Sequence, residues 1–173
     1  MNLILCGMMG AGKTTVALAL AKRTGRAYLD TDEQIVQNHG NISDIFTRFG
    51  EKYFRDLETQ TVKELVQRDN LIVSVGGGLV LRAENVETLQ KTGKIIYLRA
   101  SIDTLTERLQ GDKTRPLLQK TEEGLREKLT RLLDARSSVY EKSADFIVDV
   151  DKKSPENIAE EILEKTLLRY KKG

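Results

Sequence analysis

The chain has 173 residues, of which 39% are hydrophobic and 31% charged, as is usual for a folded domain in water. Its 28 basic and 26 acidic residues leave a formal net charge of only +2, which gives no reason to expect binding to nucleic acid or to a membrane surface. The length favours a single domain over residues 1–173, and no apolar run reaches the ~20 residues of a transmembrane helix.

Strand-like and helix-like segments alternate along the chain. Short apolar runs predict five strands, at residues 3–6, 27–30, 71–75, 94–98 and 145–150. Helical periodicity predicts helices at about residues 16–21, 33–38, 43–49, 54–66, 83–91, 102–109, 125–139 and 155–168. This alternation is typical of a three-layer α/β/α fold with a parallel sheet, in which ligands bind beyond the carboxyl ends of the strands.

The single cysteine, Cys6, excludes an intramolecular disulfide and a multi-cysteine zinc site. Its position in an apolar strand predicts an inert core residue. No secretory signal precedes the first strand, so we expect a cytoplasmic protein. No heptad pattern demands association, so we expect a monomer.

The segment at residues 7–14, Gly-Met-Met-Gly-Ala-Gly-Lys-Thr, fits the phosphate-loop pattern G-x-x-x-x-G-K-[ST]. It lies between a strand and a helix, where backbone N–H groups and the positive end of the helix dipole converge on phosphate oxygens. In this pattern Lys13 reaches the β- and γ-phosphates, and the hydroxyl of Thr14 ligates Mg²⁺. The alternative is a glycine-rich turn that only joins two packed elements, but such a turn requires neither the lysine nor the hydroxyl. We therefore expect a nucleoside triphosphate site.

Two carboxylates, Asp30 and Asp32, follow the second predicted strand. One of them can approach a phosphate-bound Mg²⁺, and the other can accept a hydrogen bond from an attacking hydroxyl, as phosphoryl transfer requires. The alternative is an Asx-turn in which Asp32 caps the following helix. Capping needs only one acid, so the pair favours a functional interpretation.

Three further features lie near the predicted site. Gly76-Gly77-Gly78 follows the third strand, where absent side chains allow a ligand to approach the backbone and allow positive φ angles. Arg55 can clamp a carboxylate bidentately, although by itself it is as well explained by a solvated pair with Glu58 three residues later. Arg136 by position alone is a helix-terminal charge that interacts with the helix dipole.

The polar stretch at about residues 110–123 has no apolar periodicity, which is typical of a mobile lid or of disorder. Arg108 and Arg115 flank or lie within it and can reach a nucleotide when a lid closes. A cation that contacts the transferring phosphoryl group stabilises the transition state.

Together these motifs resemble the shikimate kinases, small P-loop kinases of the nucleoside monophosphate kinase class. The resemblance covers nearly the whole chain and depends on six features in order. They are residues 7–15, Asp30-Thr31-Asp32, Phe54-Arg55 with Glu58, Gly76–Gly78, Arg115-Pro116-Leu117-Leu118, and Arg136 with Tyr140. The third strand also ends in glycines rather than in an acidic residue, as it does in that family.

On the nucleotide side, the resemblance implies a P-loop kinase fold that binds ATP with Mg²⁺. The residues it implies for ATP are Gly10, Ala11, Gly12, Lys13, Thr14, Thr15, Arg108, Arg115 and Lys153. Thr14 would ligate Mg²⁺ directly, and Asp30 would hold it through water. Arg115 would descend with the lid onto the phosphates, while Arg108 and the segment around Lys153 would line the adenine.

On the acceptor side, the resemblance implies phosphorylation of the 3-hydroxyl of shikimate, a step toward chorismate and the aromatic amino acids. Asp32 would bind the shikimate hydroxyls and either orient or deprotonate the nucleophile, and with Lys13 and Arg115 it makes up the implied catalytic set. The substrate-binding region is expected at about residues 31–60. The other residues implied for shikimate are Arg55, Glu58, Gly76, Gly77, Gly78 and Arg136.

Two other interpretations compete with this one. Gluconate and nucleoside monophosphate kinases share the P-loop and the size, but not the remaining motifs in combination. A catalytically inactive ATP-binding regulator predicts the loss of Lys13, Asp32 or Arg115, and all three residues are present.

Overall fold

A computed structural model describes residues 1–110 and 124–170, without the side chains of residues 168–170. Five parallel strands form one sheet, which confirms the predicted fold class. The strands are β1 (Asn2–Cys6), β2 (Ala27–Asp30), β3 (Leu71–Ser74), β4 (Gly93–Arg99) and β5 (Phe146–Asp149). Their spatial order is β2-β3-β1-β4-β5: from the central β1 the chain goes to the edge strand β2, returns to β3 between them, and then moves outward through β4 to β5.

Helices connect the strands and cover both faces of the sheet. They are α1 (Lys13–Thr24), α2 (Thr31–His39), α3 (Ile42–Leu65), α4 (Ala83–Thr92), α5 (Ile102–Leu109), α6 (Leu125–Ser143) and α7 (Pro155–Tyr170). α1 packs with α7 on one face, whereas α4 and α6 contact β4 on the other. A short 3₁₀ helix at Leu79–Leu81, which the sequence pattern does not predict, joins β3 to α4.

One predicted helix start is wrong, and one predicted break is confirmed. α2 begins at Thr31 rather than Glu33, because Asp30 caps it and so its first turn starts directly at the strand end. The range given for α3 contains two helices on either side of a kink at Gly50, which has φ 83° and ψ 170°. The glycine therefore ends the first helix, as the sequence predicts for the helices at 43–49 and 54–66.

The main core lies on both faces of the sheet, and β1 and β3 are buried along their whole lengths. Cys6 belongs to this core, and burial raises the pKa of its thiol to about 12, which confirms the expected inert residue. A second, smaller cluster holds α2 against α3; its buried members are Ile35, Ile45, Phe54 and Leu57. None of the helices in the described part of the chain is long and apolar enough to span a lipid bilayer.

A buried asparagine secures the entry to the central strands. The side chain of Asn2 is 1% exposed; its Nδ2 donates to the carbonyl of Arg68 at 3.0 Å, and its Oδ1 accepts from the N–H of Leu71 at 2.9 Å. Both bonds satisfy backbone groups of the segment that leads into β3, where unpaired groups are costly.

We expect Asn2→Ala to lower the free energy of unfolding by about 1–3 kcal/mol, because it leaves the buried N–H of Leu71 without an acceptor. Urea denaturation measures this change. Asn157→Ala, at an exposed position of α7, is the matched control and should stay within about 0.5 kcal/mol of the wild type. Equal effects of the two substitutions would contradict the assignment.

Candidate active site

The carboxyl ends of β2, β3 and β1 lie side by side, so the segments that follow these strands meet at one edge of the sheet. They enclose a cavity of about 360 Å³. It is lined by Gly10, Gly12, Lys13, Thr14, Thr15, Asp30, Asp32, Glu33, Ser74, Val75 and Gly77. Parts of all three predicted motifs are therefore brought together, at the position where doubly wound sheets bind ligands.

The glycine-rich loop leads into α1 as the sequence predicts. Gly12 precedes the helix in the left-handed conformation, with φ 89° and ψ 20°, which L side chains seldom adopt. The ammonium of Lys13 donates to the carbonyls of Gly7 and Met8, each at 3.0 Å. The lysine is thus folded back over the loop whose N–H groups form an anion site.

Asp30 uses both of its carboxylate oxygens. Oδ1 accepts from the backbone N–H of Asp32 at 2.9 Å and of Glu33 at 3.3 Å, which makes Asp30, not Asp32, the N-cap of α2. Oδ2 accepts from the hydroxyl of Thr14 at 3.1 Å and from that of Tyr28 at 3.1 Å. The capping alternative considered for Asp32 is therefore wrong. The side chain of Asp32 lies next to Gly76 instead.

The Thr14 hydroxyl and the Asp30 carboxylate fit a magnesium ion. Both are hard oxygen donors, and their 3.1 Å contact places them on the wall of the same cavity. Residues 1–110 and 124–170 contain no cluster of three or more His, Cys, Asp or Glu residues able to hold a metal by themselves. Such a partial donor set suits Mg²⁺, which takes its remaining ligands from water and substrate phosphates.

Arg55 and Glu58 form a buried ion pair rather than the solvated pair considered from the sequence. Nη1 of Arg55 lies 2.8 Å from Oε2 of Glu58, and the side chains are 12% and 1% exposed. Nη2 of Arg55 also contacts the more exposed Glu51 at 3.0 Å. Burial raises the pKa of Glu58 to about 7 despite the opposing charge of Arg55. Removing both charges from water costs free energy, and a buried ion pair often adds little to the stability of the fold. A role in ligand binding therefore explains this pair better than a contribution to stability does.

The glycine triplet lies directly against these charged groups. A Cβ on Gly76 would stand 2.5 Å from Oδ1 of Asp32 and 2.8 Å from Oε1 of Glu58, and one on Gly78 would collide with the guanidinium of Arg55. None of the three glycines has a positive φ, so that part of the sequence-based explanation is wrong. Close approach accounts for the absence of side chains at Gly76 and Gly78, whereas a Cβ on Gly77 would meet its neighbours at 3.4 Å or more.

Arg136 is not a helix-terminal charge, because α6 continues beyond the predicted end to Ser143. Its side chain is 6% exposed, and its buried Nη1 has no hydrogen-bond partner among the described residues. Tyr140 lies one turn further along α6, and the charge of Arg136 opposes the rise that burial causes in the pKa of its hydroxyl. An anionic ligand could accept a hydrogen bond from this buried N–H donor and balance the charge of the guanidinium.

A second cavity, of about 250 Å³, adjoins the loop on its other side. Arg108, Lys153 and Pro155 line it, which brings together the residues predicted for the adenine. Arg108 donates to the carbonyl of Gly10 at 3.2 Å, and Lys153 pairs with Glu161 at 2.6 Å. Arg115 and most of the predicted lid lie outside the described residues.

Three residues at the site escaped the sequence analysis. Ser74 lines the larger cavity, the Tyr28 hydroxyl bonds to Asp30, and the buried Thr31 hydroxyl accepts a hydrogen bond from the N–H of Gly76. In the sequence, each of these residues is only a polar residue inside a motif or inside a predicted strand. Neither position by itself indicates a role at the site. Thr31 and Gly76 are 45 residues apart, so their bond depends on the fold, whereas Tyr28 and Asp30 are two residues apart in β2.

Comparisons with known proteins point to one family. A family model described as shikimate kinase matches residues 9–167. A shikimate kinase of Thermodesulfovibrio yellowstonii is 43% identical over 163 residues, which cover 94% of this chain and 92% of that protein. One of Chromobacterium violaceum is 46% identical over 149 residues, covering 86% and 80%.

Solved structures agree with the sequence comparisons. The shikimate kinase from Acinetobacter baumannii in complex with shikimate matches with a TM-score of 0.92 and 37% identity, over 97% of this chain and 93% of that one. The shikimate kinase of Aquifex aeolicus matches with a TM-score of 0.85 and 31% identity over all of both chains. On this evidence of sequence and fold, the chain belongs to the shikimate kinase family.

Proposed function

We infer that this protein is a kinase that transfers the γ-phosphoryl group of ATP to the 3-hydroxyl of shikimate. The observation that carries the inference is the meeting, at one sheet edge, of a phosphate loop with buried groups that suit an anionic polyol. These groups are Asp32, the Arg55–Glu58 pair, the Gly76–Gly78 backbone, and Arg136 on α6, the helix whose Tyr140 hydroxyl bonds to Gly77. Membership of the family specifies shikimate as the acceptor.

On the donor side, the loop N–H groups at Gly10–Thr15 would hold the phosphates at the N-terminus of α1. Lys13 would exchange its contacts with the loop carbonyls for the β- and γ-phosphates, because an ammonium is better satisfied by anionic oxygens. The adenine would occupy the second cavity, beside Arg108 and Lys153. Arg115 is proposed as the cation that reaches the transferring group.

We propose that Thr14 and Asp30 hold the magnesium ion, Thr14 directly and Asp30 through water. When bound, the ion would neutralise charge on the β- and γ-phosphate oxygens. Two backbone N–H groups fix one oxygen of Asp30, and the other accepts from the Thr14 hydroxyl, which would place both proposed ligands next to the ion.

On the acceptor side, the shikimate carboxylate would bind between the guanidinium groups of Arg55 and Arg136. Arg136 has a buried donor available, and Arg55 would share its donors between Glu58 and the ligand. Asp32 would accept a hydrogen bond from the attacking 3-hydroxyl. The oxygen of that hydroxyl then forms the new P–O bond as the bond from the γ-phosphorus to ADP breaks, and the hydroxyl proton is released.

An acceptor panel tests the proposed function. ADP release with ATP and Mg²⁺ should occur with shikimate and not with gluconate, CMP or AMP, and Lys13→Met should abolish it. Turnover with another acceptor alone would overturn the choice of substrate. Tight ATP binding without any turnover would instead favour an inactive regulator.

We expect Arg55→Ala to weaken shikimate binding by about 1.5–3 kcal/mol, roughly 10- to 150-fold, because a bidentate contact to a carboxylate is lost. Isothermal titration calorimetry measures the change without turnover. Arg23→Ala is the matched control, since Arg23 pairs with Glu160 at the half-exposed surface of α1 and α7 and should leave binding unchanged. Unaltered affinity in Arg55→Ala would contradict the role in carboxylate binding.

Shikimate affinity should fall as the pH rises through about 7. Burial raises the pKa of Glu58 to about 7; the charges of Arg55 and Arg82 oppose the shift, and that of Asp32 adds to it. A bound carboxylate next to Arg55 favours neutral Glu58, so binding is tighter below this pKa, is accompanied by proton uptake, and weakens once Glu58 is ionised.

Titration calorimetry from pH 6 to 9, in buffers of different ionisation enthalpy, measures both the affinity and the proton uptake. Glu58→Gln should remove this pH dependence, whereas Glu64→Gln, at an exposed position of α3, should preserve it. An affinity that is constant or rises with pH in the wild type would refute the expectation.

The predicted monomer, single domain and cytoplasmic location stay predictions.

A further inference from the structure

The three glycines have no side chains that could anchor them, so other groups must hold their backbone in place. It contacts three of the residues proposed to bind shikimate: Asp32 and Glu58 at Gly76, and Arg55 at Gly78. It also follows the end of β3, where the ladder with β2 and β1 ends at Ser74. A glycine segment beyond a strand has high conformational freedom, so its position depends on specific contacts.

One contact comes from α2. Thr31 is fully buried, and its hydroxyl oxygen accepts a hydrogen bond from the N–H of Gly76 at 3.0 Å. Thr31 is the first residue of α2 and lies between Asp30 and Asp32. The bond therefore ties the glycine triplet to the helix turn that carries both carboxylates.

A second side-chain contact comes from α6, where the hydroxyl of Tyr140 donates to the carbonyl of Gly77 at 2.6 Å. The carbonyls of Gly76 and Gly78 also accept backbone bonds, from Leu79 and Leu81, but these belong to the 3₁₀ turn that directly follows the triplet. The Tyr140 ring is fully buried and stacks on Tyr97, with centroids 5.0 Å apart and planes inclined by 27°. A hydroxyl on a ring fixed in this way is a rigid support.

We propose that the Thr31 and Tyr140 hydroxyls are positioning groups that clamp the Gly76–Gly78 backbone from two sides and so fix the residues that bind the acceptor. The clamp rests on the proposed function for its substrate. Thr31 connects the triplet to the turn that carries Asp32, and Tyr140 connects it to α6, the helix that carries Arg136. Because the triplet also supports Arg55 and Glu58, its displacement would disturb the carboxylate and hydroxyl contacts of the acceptor together.

The clamp predicts a selective effect on the acceptor. Loss of either hydroxyl should raise the Kd and KM for shikimate about tenfold, as expected for one buried hydrogen bond. The KM for ATP should change less than about twofold in Thr31→Val, whose hydroxyl bonds to Gly76. This limit does not extend to Tyr140→Phe, because the Tyr140 hydroxyl also lies 3.7 Å from the sulfur of Met8 in the phosphate loop. A purely structural role would lower stability and leave the shikimate constants unchanged.

Thr31→Val and Tyr140→Phe remove only the hydroxyl function while preserving size. Thr31→Ser restores a hydroxyl and should return the shikimate constants to within about twofold of the wild type. Thr61→Val and Tyr97→Phe are matched controls: Thr61 is a buried α3 residue bonded to the carbonyl of Leu57, and Tyr97 is the ring stacked on Tyr140. Both controls should leave the shikimate KM unchanged.

Amide hydrogen exchange of the substrate-free protein provides a second readout. Exchange at Gly76 should become at least tenfold faster in Thr31→Val and not in Thr61→Val. If the wild type binds no shikimate, the proposed function fails, while exchange still reports on the clamp. Unchanged exchange, or unchanged shikimate constants in both hydroxyl variants of an active enzyme, would overturn the clamp.

Discussion

The site depends on the parallel pairing of β1 between β3 and β4. Since all strands run in one direction, the loops that follow β1, β2 and β3 emerge at the same edge, although they are separated by up to about 70 residues in sequence. Each loop contributes one kind of group: backbone N–H groups at the start of a helix, two carboxylates, or a backbone without side chains. Phosphoryl transfer consists mostly of positioning and charge stabilisation, so a rigid sheet edge provides a suitable framework.

Buried charge distinguishes the acceptor side of this edge from the donor side. Lys13 and Thr14 bond to neighbouring loop or strand-end groups, whereas Glu58 and Arg136 are almost wholly removed from water and each has a polar atom without a hydrogen-bond partner among the described residues. Such groups are costly in a folded protein. An anionic ligand with hydroxyl groups would satisfy them, which links the electrostatic cost of burying these groups to the selectivity of the site.

The glycine triplet connects these two parts of the site. It replaces the acidic strand end common in P-loop proteins with a backbone surface that charged side chains can approach closely. Its neighbours show why side chains are excluded: carboxylates face Gly76, and a guanidinium faces Gly78. A surface without side chains cannot hold itself in place, and the buried hydroxyls of Thr31 and Tyr140 supply that restraint.

The sequence by itself determined the alternation of strands and helices, the phosphate loop and the family. These features follow from local periodicity and from contiguous motifs, which depend on neighbours along the chain. It also placed Asp30, Asp32 and the glycine triplet at strand ends. The tertiary structure decided which acid caps α2, whether Arg55 and Arg136 are solvated, and which hydroxyls hold the triplet. Burial and long-range hydrogen bonds arise only when segments pack together, so one-dimensional patterns do not contain them.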